Sequence, residues 1–218
     1  MYIKKICLFG CTADPFTPAH MAMVEAACKI HDIVVIIPTI VDYYRAGKTK
    51  WLSDDQKLEV INAFVNKSKF WHKIIVDDHE FRLRTRLSFE QLANRRFYHT
   101  LNDMISKYSE NGMNEICMMI GSDSYTNFGT WYAYDKILNI LGDNRLYVVV
   151  GRNGVTNEML PTYKFLNENG ELQDYHINTF KIDDRFKDMS ATKIRTKYFD
   201  YKTYLADVLD ECLQLFKV

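Results

Sequence analysis

Short, continuous runs of Val and Ile alternate with helix-like segments along most of this chain. Strand-like runs cover residues 3–9, 33–37, 73–76, 115–120, 146–150 and, more weakly, 177–182. Helix-like segments cover 20–30, Ser53 to about 66, 89–108, 130–141, a stretch from Ser190, and 201–216. Uninterrupted apolar strands separated by helices are typical of a parallel sheet that is covered on both faces. With right-handed crossovers, this order predicts an α/β fold with a doubly wound parallel sheet.

Composition narrows the class of protein. With 218 residues, of which 47% are hydrophobic, the chain is expected to form a single domain over 1–218, with the polar stretch 153–175 as a peripheral excursion. Lys+Arg and Asp+Glu both number 28, so the net charge is zero, which argues against nucleic-acid and membrane partners. The five cysteines form no C-x-x-C pair, and no secretory or membrane-spanning segment is found. We therefore expect a cytoplasmic protein with reduced thiols.

In a doubly wound sheet, ligands bind beyond the carboxyl ends of the strands. Gly10, Pro38, Gly121 and Gly151 mark four such ends in the sequence. The loops that follow these residues are therefore expected to carry the functional site.

The first of these loops has the features of an anion site. Thr17 is a suitable N-cap and Pro18 suits the first helical position. His20 would then lie in the first turn of the helix, beside unpaired backbone N–H groups that favour a phosphate. An ordinary surface histidine is the alternative interpretation of His20.

A second such helix start lies near the C-terminus. Ser190 is a plausible N-cap, which places Thr192 and Arg195 in the first two turns. The planar guanidinium of Arg195 suits phosphate because it carries several fixed donors. A capped surface helix without a ligand is the alternative.

Two further loops contain candidates. In the segment 121–132, Asp123 could meet a ligand or only cap the turn, and Trp131 could contact a ligand or belong to the core. Arg152, after the strand 146–150, taken alone is as readily a solvated loop residue as a functional one. The run Arg82, Arg84, Arg86 has period-2 spacing, which predicts one strand face that recruits anionic substrate or is simply solvated.

Several of these segments resemble known signatures. The first loop resembles the phosphate-binding signature of the nucleotidyltransferase superfamily, Gly-x-x-x-x-Pro-x-(His/Thr)-x-x-His, with Gly10, Pro15, Thr17 and His20 at the named positions. Residues 189–195 resemble its second signature, Ile-Ser-Ser-Thr-x-x-Arg. Residues 121–131 resemble the Gly-x-Asp-Ser…Pro-Thr-Trp segment of nicotinate-nucleotide adenylyltransferases, with Gly129 in place of Pro.

The chain is thus similar to the nicotinate (nicotinamide) mononucleotide adenylyltransferase family, which implies a Rossmann-like nucleotidyltransferase fold. The resemblance implies catalytic roles for Thr17, His20 and Arg195, and mononucleotide contacts from Arg45, Asp123 and Trp131. The ATP-binding residues that it implies are Phe9, Gly10, Cys11, Thr12, Thr17, His20, Gly121, Asp123, Arg152, Ser190, Thr192 and Arg195.

The implied reaction transfers AMP from ATP to nicotinate mononucleotide, giving deamido-NAD and pyrophosphate in NAD biosynthesis. Mg²⁺ is expected to arrive with ATP, and no metal ligands are predicted in the chain. The alternatives are nicotinamide mononucleotide as acceptor, a phosphopantetheine or CTP-dependent transferase of the same superfamily, and a nucleotide-sensing module without turnover. The oligomeric state stays open, with a homo-oligomer as one option.

Two segments depart from the family pattern. The run Asp42-Tyr43-Tyr44-Arg45 stands where the family has Pro-Pro-His-Lys/Arg, and Ser88-Phe89-Glu90 stands where Ser-Tyr-Thr is common. Both border the pyridine pocket in the family. The choice between nicotinate and nicotinamide therefore rests on these segments.

Overall fold

Most of the described strands belong to one parallel sheet. The structure is a computed structural model that describes residues 2–40, 50–109, 113–150, 154–167, 169–186, 189–198 and 200–207. In chain order the strands are β1 (Lys5–Cys11), β2 (Ile33–Pro38), β3 (Ile74–Val76), β4 (Glu115–Gly121), β5 (Leu146–Val150), β6 (Lys164–Leu166), β7 (Leu172–Asp174) and β8 (Ile177–Lys181). β6 and β7 form a separate antiparallel hairpin, and the other strands form the sheet.

The strand order of the sheet is β3-β2-β1-β4-β5-β8, and every adjacent pair is parallel. The order reverses between β1 and β4, as in a doubly wound fold, so the predicted fold class is confirmed. A crevice opens at such a reversal, beyond the carboxyl ends of the two strands. The loops after Gly10 and Gly121 flank it.

Helices connect the strands and cover the sheet. They are α1 (Pro18–Cys28), α2 (Asp54–Lys67), α3 (His79–Leu83), α4 (Phe89–Asn94), α5 (Phe97–Tyr108), α6 (Ser122–Thr126), α7 (Tyr134–Leu141) and α8 (Ala191–Lys197), and residues 201–207 are also helical. Ser53 begins α2 with a capping box: its hydroxyl accepts from the Gln56 N–H at 3.2 Å, and its own N–H donates to the Gln56 side chain at 2.8 Å. The predicted helix start at Ser53 is confirmed.

The core lies on both faces of the sheet, as predicted. Successive residues of β1 alternate between faces, so that Cys7 and Phe9 enter one buried cluster while Ile6 and Leu8 enter the other. α1 and α2 cover the first cluster, and α5 and α7 cover the second. Full burial of each large apolar side chain stabilises the fold by roughly 1.5–3 kcal/mol. The continuous Val/Ile pattern of the strands follows from this two-sided burial.

The predicted helix over 89–108 is wrong in one respect, because it is broken in the middle. Arg95 and Arg96 adopt extended backbone conformations, with ψ of 149° and 162°. Arg96 then caps a new helix, α5, and its N–H donates to Nδ1 of His99 at 3.0 Å. The break contains neither Gly nor Pro, and it turns the start of α5 toward the crevice between β1 and β4, where Phe97 packs against Gly10.

The predicted strand face with Arg82, Arg84 and Arg86 is also wrong. This run lies in α3 and the turn after it, where an i, i+2 spacing places side chains on different sides. Arg82 forms ion pairs with Asp77 and Asp78, whereas Arg84 pairs with Asp54 at 2.5 Å. Arg82 and Arg84 therefore have separate environments, and Arg86 is exposed in the turn that follows α3.

The predicted helix over 130–141 begins later, at Tyr134, because Ala133 takes a left-handed conformation with φ of 55°. A 3₁₀ turn, Phe128–Thr130, precedes it. The Tyr163 ring covers this turn: a Cβ added to Gly129 would lie 2.7 Å from its Cε1 atom. The Tyr163 hydroxyl donates to the carbonyls of Tyr125 and Thr126 at 3.0 and 3.3 Å.

The four described cysteines, Cys7, Cys11, Cys28 and Cys117, are buried free thiols. Within the described ranges, no helix has the length and apolar character needed to cross a membrane.

Gly10 is tightly covered by Phe97, which generates a testable prediction. A Cβ on residue 10 would lie 2.5 Å from the Phe97 Cε2 atom. Gly10→Ala is therefore expected to lower the free energy of unfolding by roughly 1–3 kcal/mol, the usual cost of overpacking. In a Phe97→Ala background the same change should cost much less, since the ring is gone. Urea unfolding of the four proteins forms the cycle that measures this, and an equal cost in both backgrounds would contradict it.

Candidate active site

A cleft of about 1240 Å³ opens at the carboxyl ends of β1, β2 and β4, where Gly10, Thr39 and Gly121 line it. Its volume exceeds the usual several-hundred-Å³ pocket for one small ligand. The cleft therefore has room for two nucleotide-sized molecules side by side.

Most of the predicted site residues meet in this cleft, although they come from distant parts of the chain. Those that line it are Phe9, Gly10, Cys11, Thr12, His20, Gly121, Asp123, Trp131, Ser190, Thr192 and Arg195. Arg45 and Arg152, together with Asp42, lie outside the described residues. Thr17 does not line the cleft; its side chain is fully buried.

Thr17 lies behind His20 and fixes the imidazole. The Thr17 N–H donates to Nδ1 of His20 at 3.0 Å, and the Thr17 hydroxyl lies 3.0 Å from the same nitrogen. The His20 N–H donates in turn to Thr17 Oγ1 at 3.3 Å, as expected of an N-cap. Because a backbone N–H can only donate, Nδ1 must be an acceptor, and the neutral ring carries its proton on Nε2. The structure thus places Thr17 as the residue that orients His20, rather than on the cleft wall.

The C-terminal segment reaches the same loop through Arg195. Ser190 caps α8, where its hydroxyl accepts from the Lys193 N–H at 3.2 Å. Arg195 donates from Nη2 to Thr192 Oγ1 at 3.1 Å and from Nη1 to the carbonyl of Asp14. The guanidinium is therefore held between α8 and the loop after β1, at the edge of the cleft.

Asp14 is an important residue that the sequence did not single out. Its carboxylate is 3% exposed and accepts from the N–H groups of Trp51 and Leu52 at 3.0 and 2.8 Å. Its carbonyl is the group that holds Arg195. The signal available in the sequence was its place between Gly10 and Pro15, inside the loop that resembles a phosphate-binding signature.

An aromatic wall lies at another side of the cleft. The ring of Trp131 contacts the Phe97 ring, with centroids 5.5 Å apart at 72°, and the Phe128 ring, at 5.2 Å. Phe97 also lines the cleft, beside Gly10. Trp131 is half-buried, so part of its surface stays open to a ligand. Phe97 was not predicted as a site residue, because the helix break that brings it here was not predicted.

The helices after β3 supply both apolar and charged residues to the cleft. Apolar lining comes from the side chains of Leu83, Leu87, Phe89 and Leu92. The cations that this region contributes to the lining are Arg84, Arg95 and Arg96, and two further lining cations, Lys50 and Arg195, come from other segments. Although the chain has no net charge, these side chains give the cleft a cationic lining that suits phosphate groups.

The carboxylates of the cleft offset these cations only in part. The described lining contains three carboxylates, Asp14, Glu80 and Asp123, against the five cations. Asp14 and Glu80 also accept hydrogen bonds from backbone N–H groups. Among the described residues, no group of three or more His, Cys, Asp or Glu side chains could hold a metal ion.

Glu80 lines the cleft and joins three segments of the chain. Its carboxylate accepts from the Ile40 N–H at 2.5 Å and from the Thr100 hydroxyl. Burial raises the pKa of Glu80, and the bonds from Thr100 and Ile40 oppose that rise. Glu80 therefore ties α3 to α5 and to the chain that follows β2.

A family model matches most of the chain, including the segments that form this cleft. The model described as cytidylyltransferase-like matches residues 8–197, most of the chain. The chain belongs to the cytidylyltransferase-like family. The prediction of a nucleotidyltransferase is thereby confirmed, and the matched range includes the loop after β1, the aromatic wall and α8.

Two bacterial proteins are similar to the chain over most of its length. It is 23% identical over 215 residues to the "Probable nicotinate-nucleotide adenylyltransferase" of Aliarcobacter butzleri, covering 98% of this chain and 97% of that protein. It is 25% identical over 195 residues to the Fusobacterium nucleatum protein of the same name, covering 88% and 86%.

A solved structure supports the fold. The Plasmodium falciparum nicotinic acid mononucleotide adenylyltransferase complexed with NaAD superposes with a TM-score of 0.63, at 13% identity, covering 99% of this chain and 97% of that one. At this identity the superposition establishes the shared Rossmann-like fold and nothing finer.

The buried carboxylate of Glu80 predicts a pH dependence of stability. Its pKa is raised above the ordinary 4.5, so the folded protein binds this proton more tightly than the unfolded chain does. The contribution of Glu80 to stability is therefore largest below the unfolded pKa and falls as the pH rises through the folded pKa. Glu80→Gln should remove this loss, so the variant should gain stability relative to wild type as the pH rises from 4 to 8.

Thermal unfolding across that pH range measures the effect. Glu90→Gln is the matched control, because Glu90 is exposed on α4. Parallel stability curves for wild type and Glu80→Gln would show that Glu80 does not titrate differently on folding.

Proposed function

We propose that this chain is an adenylyltransferase that transfers AMP from ATP to nicotinate mononucleotide, giving deamido-NAD and pyrophosphate. The observation that carries the proposal is the meeting of His20, Arg195 and Trp131 in one cleft, although they lie on three distant segments. Two of these residues suit phosphates and the third suits a flat ring. Both similar proteins described above bear the name of this activity.

The proposed chemistry is a direct displacement at phosphorus. An oxygen of the mononucleotide phosphate attacks the α-phosphorus of ATP, and the bond from that phosphorus to the bridging oxygen of pyrophosphate breaks. The attacking oxygen is already anionic, so no general base is required. The Nε2–H of His20 would donate to an α-phosphate oxygen as charge builds there, and Arg195 would bind the departing pyrophosphate.

Magnesium is proposed to enter as part of the ATP substrate, held mostly by phosphate oxygens and water. Of the three described carboxylates that line the cleft, Asp14 and Glu80 accept hydrogen bonds from backbone N–H groups, and Asp123 is the third. The catalytic contribution of the chain itself is then to position two substrates in line and to neutralise their charge.

Trp131 and Phe97 are proposed to receive the pyridine ring. Their edge-to-face contact holds the indole in one orientation, so that it offers a rigid face. The nicotinate form is favoured because Arg96 directly precedes Phe97 and Arg95 lines the same wall. Arg96 is fixed by bonds from Nη1 to the carbonyls of Ala93 and Arg95, at 2.8 and 2.7 Å. Fixed positive charge beside the ring stabilises a carboxylate more than a neutral amide.

The decisive experiment measures pyrophosphate release with ATP or CTP as donor. The acceptors are nicotinate mononucleotide, nicotinamide mononucleotide and phosphopantetheine, and the highest kcat/KM is expected for ATP with nicotinate mononucleotide. A preference for CTP or phosphopantetheine would refute the proposed reaction. A preference for nicotinamide mononucleotide would change only the base, and turnover with none of these pairs would favour a sensing module.

His20→Ala is expected to lower kcat in this assay by about two to three orders of magnitude, the range for loss of one preorganised donor. ATP affinity should change less. His72→Ala is the matched control, because His72 is exposed outside the cleft.

Trp131 gives a prediction about the acceptor. Trp131→Ala should raise KM for the mononucleotide much more than KM for ATP, because base stacking is worth roughly 1–3 kcal/mol. Trp71→Ala, which removes an indole that is 62% exposed, serves as the control for loss of a tryptophan. Equal changes in both KM values would place Trp131 in the core rather than at the pyridine ring.

A further inference from the structure

Two cations on the cleft wall are held together by one carboxylate. Lys50 Nζ lies 3.1 Å from Asp54 Oδ1, and Arg84 Nη1 lies 2.5 Å from Asp54 Oδ2. Lys50 and Arg84 line the cleft, whereas Asp54 is not part of the lining. The side chains of Lys50 and Arg84 keep 34% and 33% exposure, against 19% for Asp54. The carboxylate therefore fixes the two cations from behind while both remain accessible from the cleft.

The surroundings of this pair carry an excess of positive charge. Lys57 is fully buried and interacts electrostatically with Lys50, Arg84, Asp14 and Asp54. Burial lowers the pKa of Lys57, the two carboxylates oppose that shift, and the two cations add to it. Among these described groups three cations meet two carboxylates, and Lys50 and Arg84 are the two cations that line the cleft. An anion bound to Lys50 and Arg84 would complete the charge balance.

The position of Lys50 and Arg84 in the fold indicates which of the two proposed substrates they would bind. Lys50 is followed by Trp51, whose N–H is bound to Asp14 in the loop after β1. Arg84 follows α3, which is tied through Glu80 and Thr100 to α5. α5 begins at Phe97, which contacts Trp131. The pair is thus connected both to the loop that precedes His20, the predicted α-phosphate ligand, and to the aromatic wall.

We propose that Lys50 and Arg84, preorganised by Asp54, bind the phosphate of the acceptor mononucleotide. This inference rests on the proposed function. The described residues predicted for the ATP phosphates lie in α1 and α8 or at their N-caps, whereas Lys50 precedes α2 and Arg84 follows α3. The acceptor brings a second, dianionic phosphate, which has to approach the α-phosphorus without repulsion. A pair of fixed cations beside that loop supplies the required neutralisation.

The test compares binding of the acceptor with binding of its phosphate-free form. Dissociation constants are measured calorimetrically for nicotinate mononucleotide, nicotinate riboside and ATP, with wild type, Lys50→Met, Arg84→Met and the double variant. Each single change should weaken mononucleotide binding by roughly ten- to a hundredfold, the range for a hydrogen bond to a charged group. Binding of the riboside and of ATP should stay within about threefold. Arg82→Met is the matched control, because Arg82 pairs with Asp77 and Asp78 outside the cleft.

The outcomes separate the two proposals. Equal loss of mononucleotide and riboside affinity, selective loss of ATP affinity, or no loss at all would overturn the role of Lys50 and Arg84 while wild-type turnover still supports the reaction. Failure of the wild type to bind any pyridine mononucleotide would overturn the proposed function, and this inference with it. Arg84→Lys keeps the positive charge but loses the planar, bidentate guanidinium. It should therefore weaken mononucleotide binding less than Arg84→Met does if residue 84 binds phosphate.

Discussion

The hydrogen bonds of Asp14 connect three parts of the chain that are far apart in sequence. The carboxylate accepts the N–H groups of Trp51 and Leu52, which lead into α2, and the carbonyl accepts Arg195 from α8. Because the carboxylate is almost completely buried, loss of these bonds would leave a charge without solvation, which is strongly unfavourable. The Asp14 carboxylate thus fixes the chain before α2 and its backbone carbonyl fixes Arg195, so the loop after β1 is joined to two segments that are distant from it in sequence. Arg195 is held beside this loop, and His20 lies in the helix that follows the same loop.

Charge in this protein is separated locally although it cancels overall. The chain has equal numbers of acidic and basic residues, yet the cleft gathers five Lys and Arg side chains on its described lining. Nearby carboxylates such as Asp54 and Asp103 hold individual guanidinium and ammonium groups in place. A cation fixed in this way loses little entropy when an anion binds, so it attracts phosphate more effectively than a mobile surface lysine. Net charge alone would have given no indication of such a site.

The sequence was most informative where local chemistry determines the structure. The strands, the caps at Thr17, Ser53 and Ser190, and the position of His20 in a first turn all follow from short segments, and all are observed. The break before α5 could not be foreseen, since no Gly or Pro marks it. At the break, Arg95 pairs with Asp103 of α5, and Phe97 packs against Gly10 of β1. Phe97 escaped prediction because its contacts join segments distant in sequence, and Lys50 escaped prediction because the carboxylate that it shares with Arg84 brings together residues 30 positions apart.

The turn that contains Gly129 is covered by a residue from a different segment, Tyr163. The relatives that this loop resembles have Pro at the position, and proline limits the conformations of the unfolded chain as well as of the folded one. Glycine does the opposite, so the backbone of the turn before Trp131 is less restricted at this position. The Tyr163 ring and its hydroxyl bonds to Tyr125 and Thr126 fix the turn instead. The position of the indole in the cleft is thus linked to Tyr163, which lies in a segment of which no described residue lines the cleft. Shortening that segment would remove the ring that covers this turn, so the indole would lose a support that lies outside the cleft itself.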